Sequence, residues 1–165
     1  MTEDILSSII GRPTEKSVVV VERGQLGLFA DAVRDYSPIY RDATAAEAAG
    51  LPGIPAPPTY PFVMANFGAY PELQPDDKPT DSPMAEVLGP LMAKGGLILH
   101  GEQEFTYRRP ILAGDVLEGK GTVVDAYQKE SKGKTMTFVV VETAWSELGT
   151  GEPVATSRMN IIHRV

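Results

Sequence analysis

The C-terminal part of the chain constrains the fold more than any other stretch. Leu97–Tyr107, Asp115–Gln128, Thr135–Glu147 and Pro153–Val165 read as four long strands. They are separated by turn signals that include Lys132-Gly133 and Gly149-Thr150-Gly151. An earlier run, Ser17-Val-Val-Val-Val-Glu22, adds a fifth strand. Between them lies Thr59–Tyr70, apolar nearly all round through Phe62, Val63, Met64, Ala65 and Phe67. A helix apolar on every side must be buried. One early strand, a buried helix and then a strand meander predict an α+β chain: an antiparallel sheet wrapped around a central helix.

The rest is read more locally. Gln25–Arg34 places Leu28, Phe29, Ala32 and Val33 on one helical face. Thr44 with Glu47 fits a capping box for a short helix closed by Gly50. Gly53-Ile-Pro-Ala-Pro-Pro58 is a breaker cluster just before the apolar helix. Pro71–Gly96 is polar and rich in Pro, Asp and Gly. At about 26 residues it exceeds usual loop lengths, which marks a functional lid or a partly disordered connection. No repeat or linker divides the chain, so one domain is expected over residues 1–165.

Composition removes several classes of function. The 165 residues contain no cysteine, hence no disulfide, thiolate metal site or cysteine nucleophile, and the two histidines, His100 and His163, preclude a multi-histidine metal cage. Fifteen basic against 22 acidic residues give a net charge of −7, which opposes a nucleic-acid or anionic-membrane surface. No run approaches the ~20 apolar residues of a membrane span. Met1–Pro13 carries Glu3 and Asp4 and does not read as a secretory signal, so a cytoplasmic protein is expected.

Three segments carry a resemblance. Phe29-Ala-Asp-Ala-Val-Arg-Asp35-Tyr-Ser37-Pro38-Ile39-Tyr40, with Ala46 six residues on, resembles the signature Gly-Asp-x-Asn-Pro-(Leu/Ile)-His. Gly53–Tyr60 sits where that family begins its central helix, and Arg109-Pro110-Ile-Leu-Ala-Gly114-Asp115 resembles its Pro-x-x-x-Gly-Asp turn. Together, in this order, they are similar to the MaoC-like dehydratases and (R)-specific enoyl-CoA hydratases, which have the hotdog fold. The resemblance implies hydration of a trans-2-enoyl thioester, or dehydration of a 3-hydroxyacyl thioester, without a cofactor or metal. An Asp and a His would activate water, and amides at the start of the central helix would stabilise the enolate-like oxygen.

The chain departs from that pattern where the chemistry lies. Asp35 is kept, but Tyr40 stands at the histidine position, and a phenol titrating near ~10 is a poor base at neutral pH. Ser37 replaces Asn, and Pro57-Pro58 replaces the family His-Gly; a proline at Pro58 has no N–H to offer an oxyanion. Leu99-His100-Gly101-Glu102-Gln103 resembles a strand of the substrate-binding half of fused two-hotdog hydratases. The resemblance therefore implies a binding-type subunit. Asp35 and Tyr40 would be a degenerate catalytic pair, and Ser37, Pro58, Thr59, Phe62, His100 and Arg109 would bind substrate. The expected partners are an acyl-CoA or acyl-carrier-protein thioester and a second hotdog subunit, either another copy or a catalytic MaoC-like chain.

Each residue also has a plainer role. Asp35 caps a turn in one reading and touches the site in the other. Tyr40 is a half-buried aromatic or a site group. His100 is an interior or interface residue, or a catalytic one, and His163 is structural. Phe62 and Phe67 are core that also borders an acyl tunnel. Of Arg108 and Arg109, adjacent on a strand, only one can face a given site, where a guanidinium would meet a coenzyme A phosphate. Two other functions stay open: a self-sufficient homodimeric hydratase using Asp35, and a hotdog acyl-CoA thioesterase or acyl-thioester binding protein. The absence of Asp or Glu from Thr59–Tyr70 counts against a thioesterase.

Overall fold

The computed structural model describes residues 3–131 and 133–164; Lys132 of the expected turn, Val165 of the expected last strand, and Met1 and Thr2 lie outside the described residues. Five strands form one antiparallel sheet: β1 (Pro13–Val20), β2 (Leu97–Tyr107), β3 (Val116–Ser131), β4 (Lys134–Glu147) and β5 (Pro153–Arg164). Their order is β1-β3-β4-β5-β2, so β1 and β2 are the edges. The alternation of side chains makes one face the core. Register places Tyr107, Ala155, Trp145 and Gly119 in one cross-sheet row, and Phe105, Ser157, Thr143 and Gly121 in the next. Gly119 is required by its neighbour, since a Cβ there would stand 2.5 Å from the Trp145 ring.

Among the described residues the α-helices are α1 (Glu3–Ile9), α2 (Arg23–Ala32), α3 (Ala43–Ala48), α4 (Met64–Gly68) and α5 (Pro83–Met92). The cap of α3 differs from the expected box. Asp42, one residue before the helix, accepts the Thr44 N–H at 2.8 Å, so its carboxylate takes the role assigned to Thr44.

The expected continuous helix over Thr59–Tyr70 is broken. Tyr60–Phe62 forms a 3-10 turn and α4 follows after Val63. Pro61 has no N–H to donate, and the bonds from Phe62 to Thr59 and from Val63 to Tyr60 are the tighter i→i−3 kind. Tyr60, Met64 and Gly68, spaced by four, are buried against the sheet, and a Cβ at Gly68 would lie 2.2 Å from the Val20 carbonyl oxygen. Phe62 and Phe67 are not core in this chain, being 52% and 50% exposed, because the segment has the sheet on one side only.

The long connection is also more ordered than expected. Within Pro71–Gly96, Ser82 caps α5 by accepting the Ala85 N–H. Met84, Val87, Leu88 and Leu91 then pack with Leu6, Ile9, Val123, Ala126 and Val139 into a second core. Arg12 holds Glu86 through two bonds of 2.8 and 2.7 Å, and Lys16 reaches Asp77 at 2.6 Å, tying the segment to β1. Gln74 closes the edge of β1: its amide accepts the Val18 N–H at 3.2 Å and donates to the Val18 carbonyl at 2.9 Å. Among the described residues, no helix is long and apolar enough to cross a membrane.

Candidate functional site

The signature segment folds as a sequence of turns after α2. Arg34 adopts φ 59°, and the Asp35 N–H returns to Ala30 at 2.8 Å. The Asp35 carboxylate then accepts the Ser37 N–H at 3.1 Å, an Asx turn that leads into a 3-10 turn at Pro38–Tyr40. Arg41 fixes the far side through an ion pair with Asp31 and a bond to the Gly27 carbonyl at 3.1 Å. The outcome is a Tyr40 side chain packed into the molecule, only 7% exposed. Burial raises its pKa, and the neighbouring Asp35 carboxylate raises it further through its charge and as an acceptor. The phenol therefore stays protonated at neutral pH.

Tyr40 and Pro58 meet Leu51, Tyr107, Arg108 and Arg109 around a pocket of about 420 Å³. Tyr107, at the end of β2, donates its hydroxyl to the Pro58 carbonyl at 2.7 Å; burial of that end pushes its pKa up to about 12. Both arginines line the pocket, contrary to the expectation that only one would. β2 ends at Tyr107, so strand alternation no longer governs residues 108 and 109. Their environments differ. Arg109 is held by Asp115 at 2.6 Å and lies 3.8 Å from Glu147, and Asp115 also accepts the Leu112 N–H at 2.9 Å. Arg108 is exposed and forms no ion pair among the described residues.

Backbone donors are scarce at this place. Pro57, Pro58 and Pro61 have none, and the Tyr60 N–H is taken by the Pro57 carbonyl at 2.9 Å. The Thr59 N–H is the one in this stretch with no acceptor among the described residues. Asp35 and Ser37 are not in the pocket wall. Phe62 and His100 lie apart from it, edge to face at 5.1 Å beside β2. His163 is buried, with its Nε2 2.8 Å from the Gly95 carbonyl.

A second cavity, about 350 Å³, opens between the inner face of the sheet and the Pro61–Asn66 segment. Phe62 belongs to its wall, with Thr14, Gln103, Trp145 and Met159. Sequence reasoning gave no role to Tyr107, Gln103 or Trp145. The alternation of β2, which sets residues 103, 105 and 107 on one face, was the available signal for the first two. Among the described residues, no group of three His, Asp or Glu side chains is arranged to hold a metal ion.

With this geometry in hand, similarity to known proteins is informative. A family model described as "FAS1-like, dehydratase domain region" matches residues 8–157. The chain belongs to that family. A relative from Thermobifida fusca, named UPF0336 protein, is 33% identical over 144 residues, covering 87% of this chain and 83% of its own. Among solved structures, the ChsH1-ChsH2 complex from Mycobacterium tuberculosis has a similar chain with a TM-score of 0.77, at 24% identity, covering 98% of this chain and 89% of that one. The truncated HadBC (3R-hydroxyacyl-ACP dehydratase) complex of the same organism follows with a TM-score of 0.68 at 21% identity, covering 93% and 96%. These and other neighbours that are MaoC-like dehydratases establish the α+β hotdog fold for this member of the FAS1-like dehydratase-region family.

Proposed function

We propose that this chain is the thioester-binding subunit of a heteromeric (R)-enoyl-thioester hydratase or 3-hydroxyacyl-thioester dehydratase in cytoplasmic acyl-chain metabolism, with a hotdog partner supplying the acid–base pair. The observation that carries the reading is Tyr40. A group that activates water works best with a pKa near the operating pH. Here a buried phenol, with its pKa raised beside Asp35, occupies the histidine position of the signature. The Asp35 carboxylate accepts the Ser37 N–H, which suits a turn-forming role.

The remaining parts suit binding. The pocket at Tyr40 and Pro58 is mostly apolar, with Arg108, unpaired among the described residues, in its wall for an anionic group of the thioester carrier. Arg109, held by Asp115, shapes the turn beneath it. The Thr59 N–H offers one donor to a thioester oxygen, which orients the carbonyl without forming the two-donor site expected of a catalytic relative. Partner binding fits the open β2 edge, where Leu97, Ile98 and Leu99 are 63%, 40% and 40% exposed beside Phe62 and His100. Both two-component neighbours, the ChsH1-ChsH2 and HadBC complexes, are consistent with such an arrangement.

The test is hydration of crotonyl-CoA, followed by loss of enoyl-thioester absorbance. The purified chain should turn over little. Mixing it with a separate hotdog chain that carries an intact Gly-Asp-x-Asn-Pro-x-His signature should restore activity, and Asp35→Asn in this chain should leave that activity within about two-fold. Full activity of the lone chain, abolished by Asp35→Asn, would overturn the proposal in favour of a homodimeric hydratase.

A further inference from the structure

The cavity under the sheet contains polar atoms that the fold does not use. Trp145 is 3% exposed, yet its Nε1–H has no acceptor among the described residues, and the Thr14 hydroxyl and the Gln103 Oε1 are likewise buried without partners among them. All three residues line the same 350 Å³ space. A buried polar group left unpaired is costly, and native proteins carry few. Three converging on one cavity mark a place built for something that hydrogen-bonds. The rest of the wall combines apolar side chains such as Phe62, Met84 and Met159 with the Thr143–Glu15 pair, Asn66 and Ser157.

The space begins close to the thioester pocket, since Pro61 and Phe62, just after Pro58 and Thr59 in the chain, belong to its wall. Gln103 and Tyr107 share the inner face of β2, four residues apart, a span of roughly 13 Å at strand rise. Tyr107 fixes the Pro58 carbonyl at one end, and Gln103 presents its unpaired oxygen at the other. Trp145 stands in the same cross-sheet row as Tyr107, two strands inward through Ala155. From a thioester seated at Pro58 and Thr59, the indole therefore lies across the sheet and the Gln103 oxygen lies along β2, both at the distance of an acyl tail rather than of its carbonyl.

We infer that this cavity selects acyl groups carrying an oxygen, hydroxyl or keto, in the distal part of the tail, with Trp145 Nε1–H as the principal donor to it. The inference rests on the thioester-binding reading and specifies its substrate class. An indole nitrogen donates only, so it rewards an acceptor oxygen and nothing in a plain alkyl chain. A binding site that offers such groups penalises the analogue that leaves them unpaired.

Trp145 is the single tryptophan of the chain, which gives the test a clean reporter. Decanoyl-CoA and 9-oxodecanoyl-CoA are titrated into the full chain by calorimetry, while the one indole N–H resonance is followed by 15N NMR. The oxo chain should bind roughly three- to ten-fold tighter, the value of about one neutral hydrogen bond, and should move the indole proton downfield relative to decanoyl-CoA. In Trp145→Phe the ratio of the two affinities should fall to about one. Equal affinities with an unshifted indole proton in the wild type would overturn the inference, and so would a preference that survives in Trp145→Phe; either result leaves the thioester reading standing. If neither thioester binds, the thioester reading itself fails, and this inference with it. The wild-type NMR arm decides the matter even where the variant folds poorly.

Discussion

Removing the Tyr60 hydroxyl should change how the protein responds to alkali more than how stable it is at neutral pH. Tyr60 is fully buried, donates to Gln25 Oε1 at 3.0 Å, and has a pKa pushed up to about 12 by burial, with the Glu22 charge adding to it. Its ordinary value is 10.0. The sign follows from linkage. Because the folded pKa is the higher, the unfolded chain loses the proton first. Stability is intact below pH 10 and is lost as pH rises towards 12. At about 1.36 kcal/mol per pKa unit, the loss reaches roughly 1.4 kcal/mol at pH 11 and tends to about 2–3 kcal/mol beyond pH 12. Tyr60→Phe abolishes this term and, at pH 7, costs about 1 kcal/mol for the hydrogen bond to Gln25. Urea unfolding followed by Trp145 fluorescence at pH 7, 9, 10 and 11 measures both. The variant should be the less stable protein at pH 7, and the gap should close or reverse by pH 11. Tyr107 ionises in both proteins and cancels from the difference. Parallel stability curves from pH 7 to 11 would refute the reasoning, since they would mean that Tyr60 is no harder to ionise folded than unfolded.

Other outcomes follow from packing and exposure. Gly119→Ala places a methyl 2.5 Å from the Trp145 ring and should destabilise the chain by roughly 1–3 kcal/mol with a changed Trp145 emission, read by thermal unfolding and fluorescence. Asp115→Ala releases both Arg109 and the Leu112 amide, and should cost roughly 1–3 kcal/mol in urea unfolding. Leu97→Glu with Leu99→Glu alters only exposed positions of β2. It should leave the urea midpoint within about 0.5 kcal/mol of wild type while abolishing co-elution with a hotdog partner in gel filtration.

The sheet was legible because strand periodicity is local: β2 runs over Leu97–Tyr107 as read, β5 follows the expected strand over its described residues, and β3 and β4 differ by a few residues at their ends. The helices were legible only in part. An all-round apolar composition at Thr59–Tyr70 signals burial but does not say against what, and it gives too little weight to Pro61, whose missing amide breaks the helix. The stripe Met84, Val87, Leu88 and Leu91 does have helical spacing, but Pro83, Gly89 and Pro90 around it read as loop. The site was legible where the signature segment dictates it, at Tyr40 and Pro58. Tyr107, Gln103 and Trp145 come together only through the register of β2, β5 and β4, a long-range relation that local patterns do not contain.

The Gln74 amide has a consequence for how the protein can aggregate. A sheet with two open edges is a template at both ends, and copies that join edge to edge propagate into a fibre. Here a side-chain amide saturates the outward N–H and carbonyl of Val18, so the β1 edge cannot recruit another strand at that position. Among the described residues, β2 carries no side-chain amide of this kind along its edge. Strand addition at β2 would leave each molecule with its β1 edge interrupted at Val18, which opposes growth beyond a pair of sheets. Gln74→Ala would restore a second template and turn a terminating association into one able to polymerise.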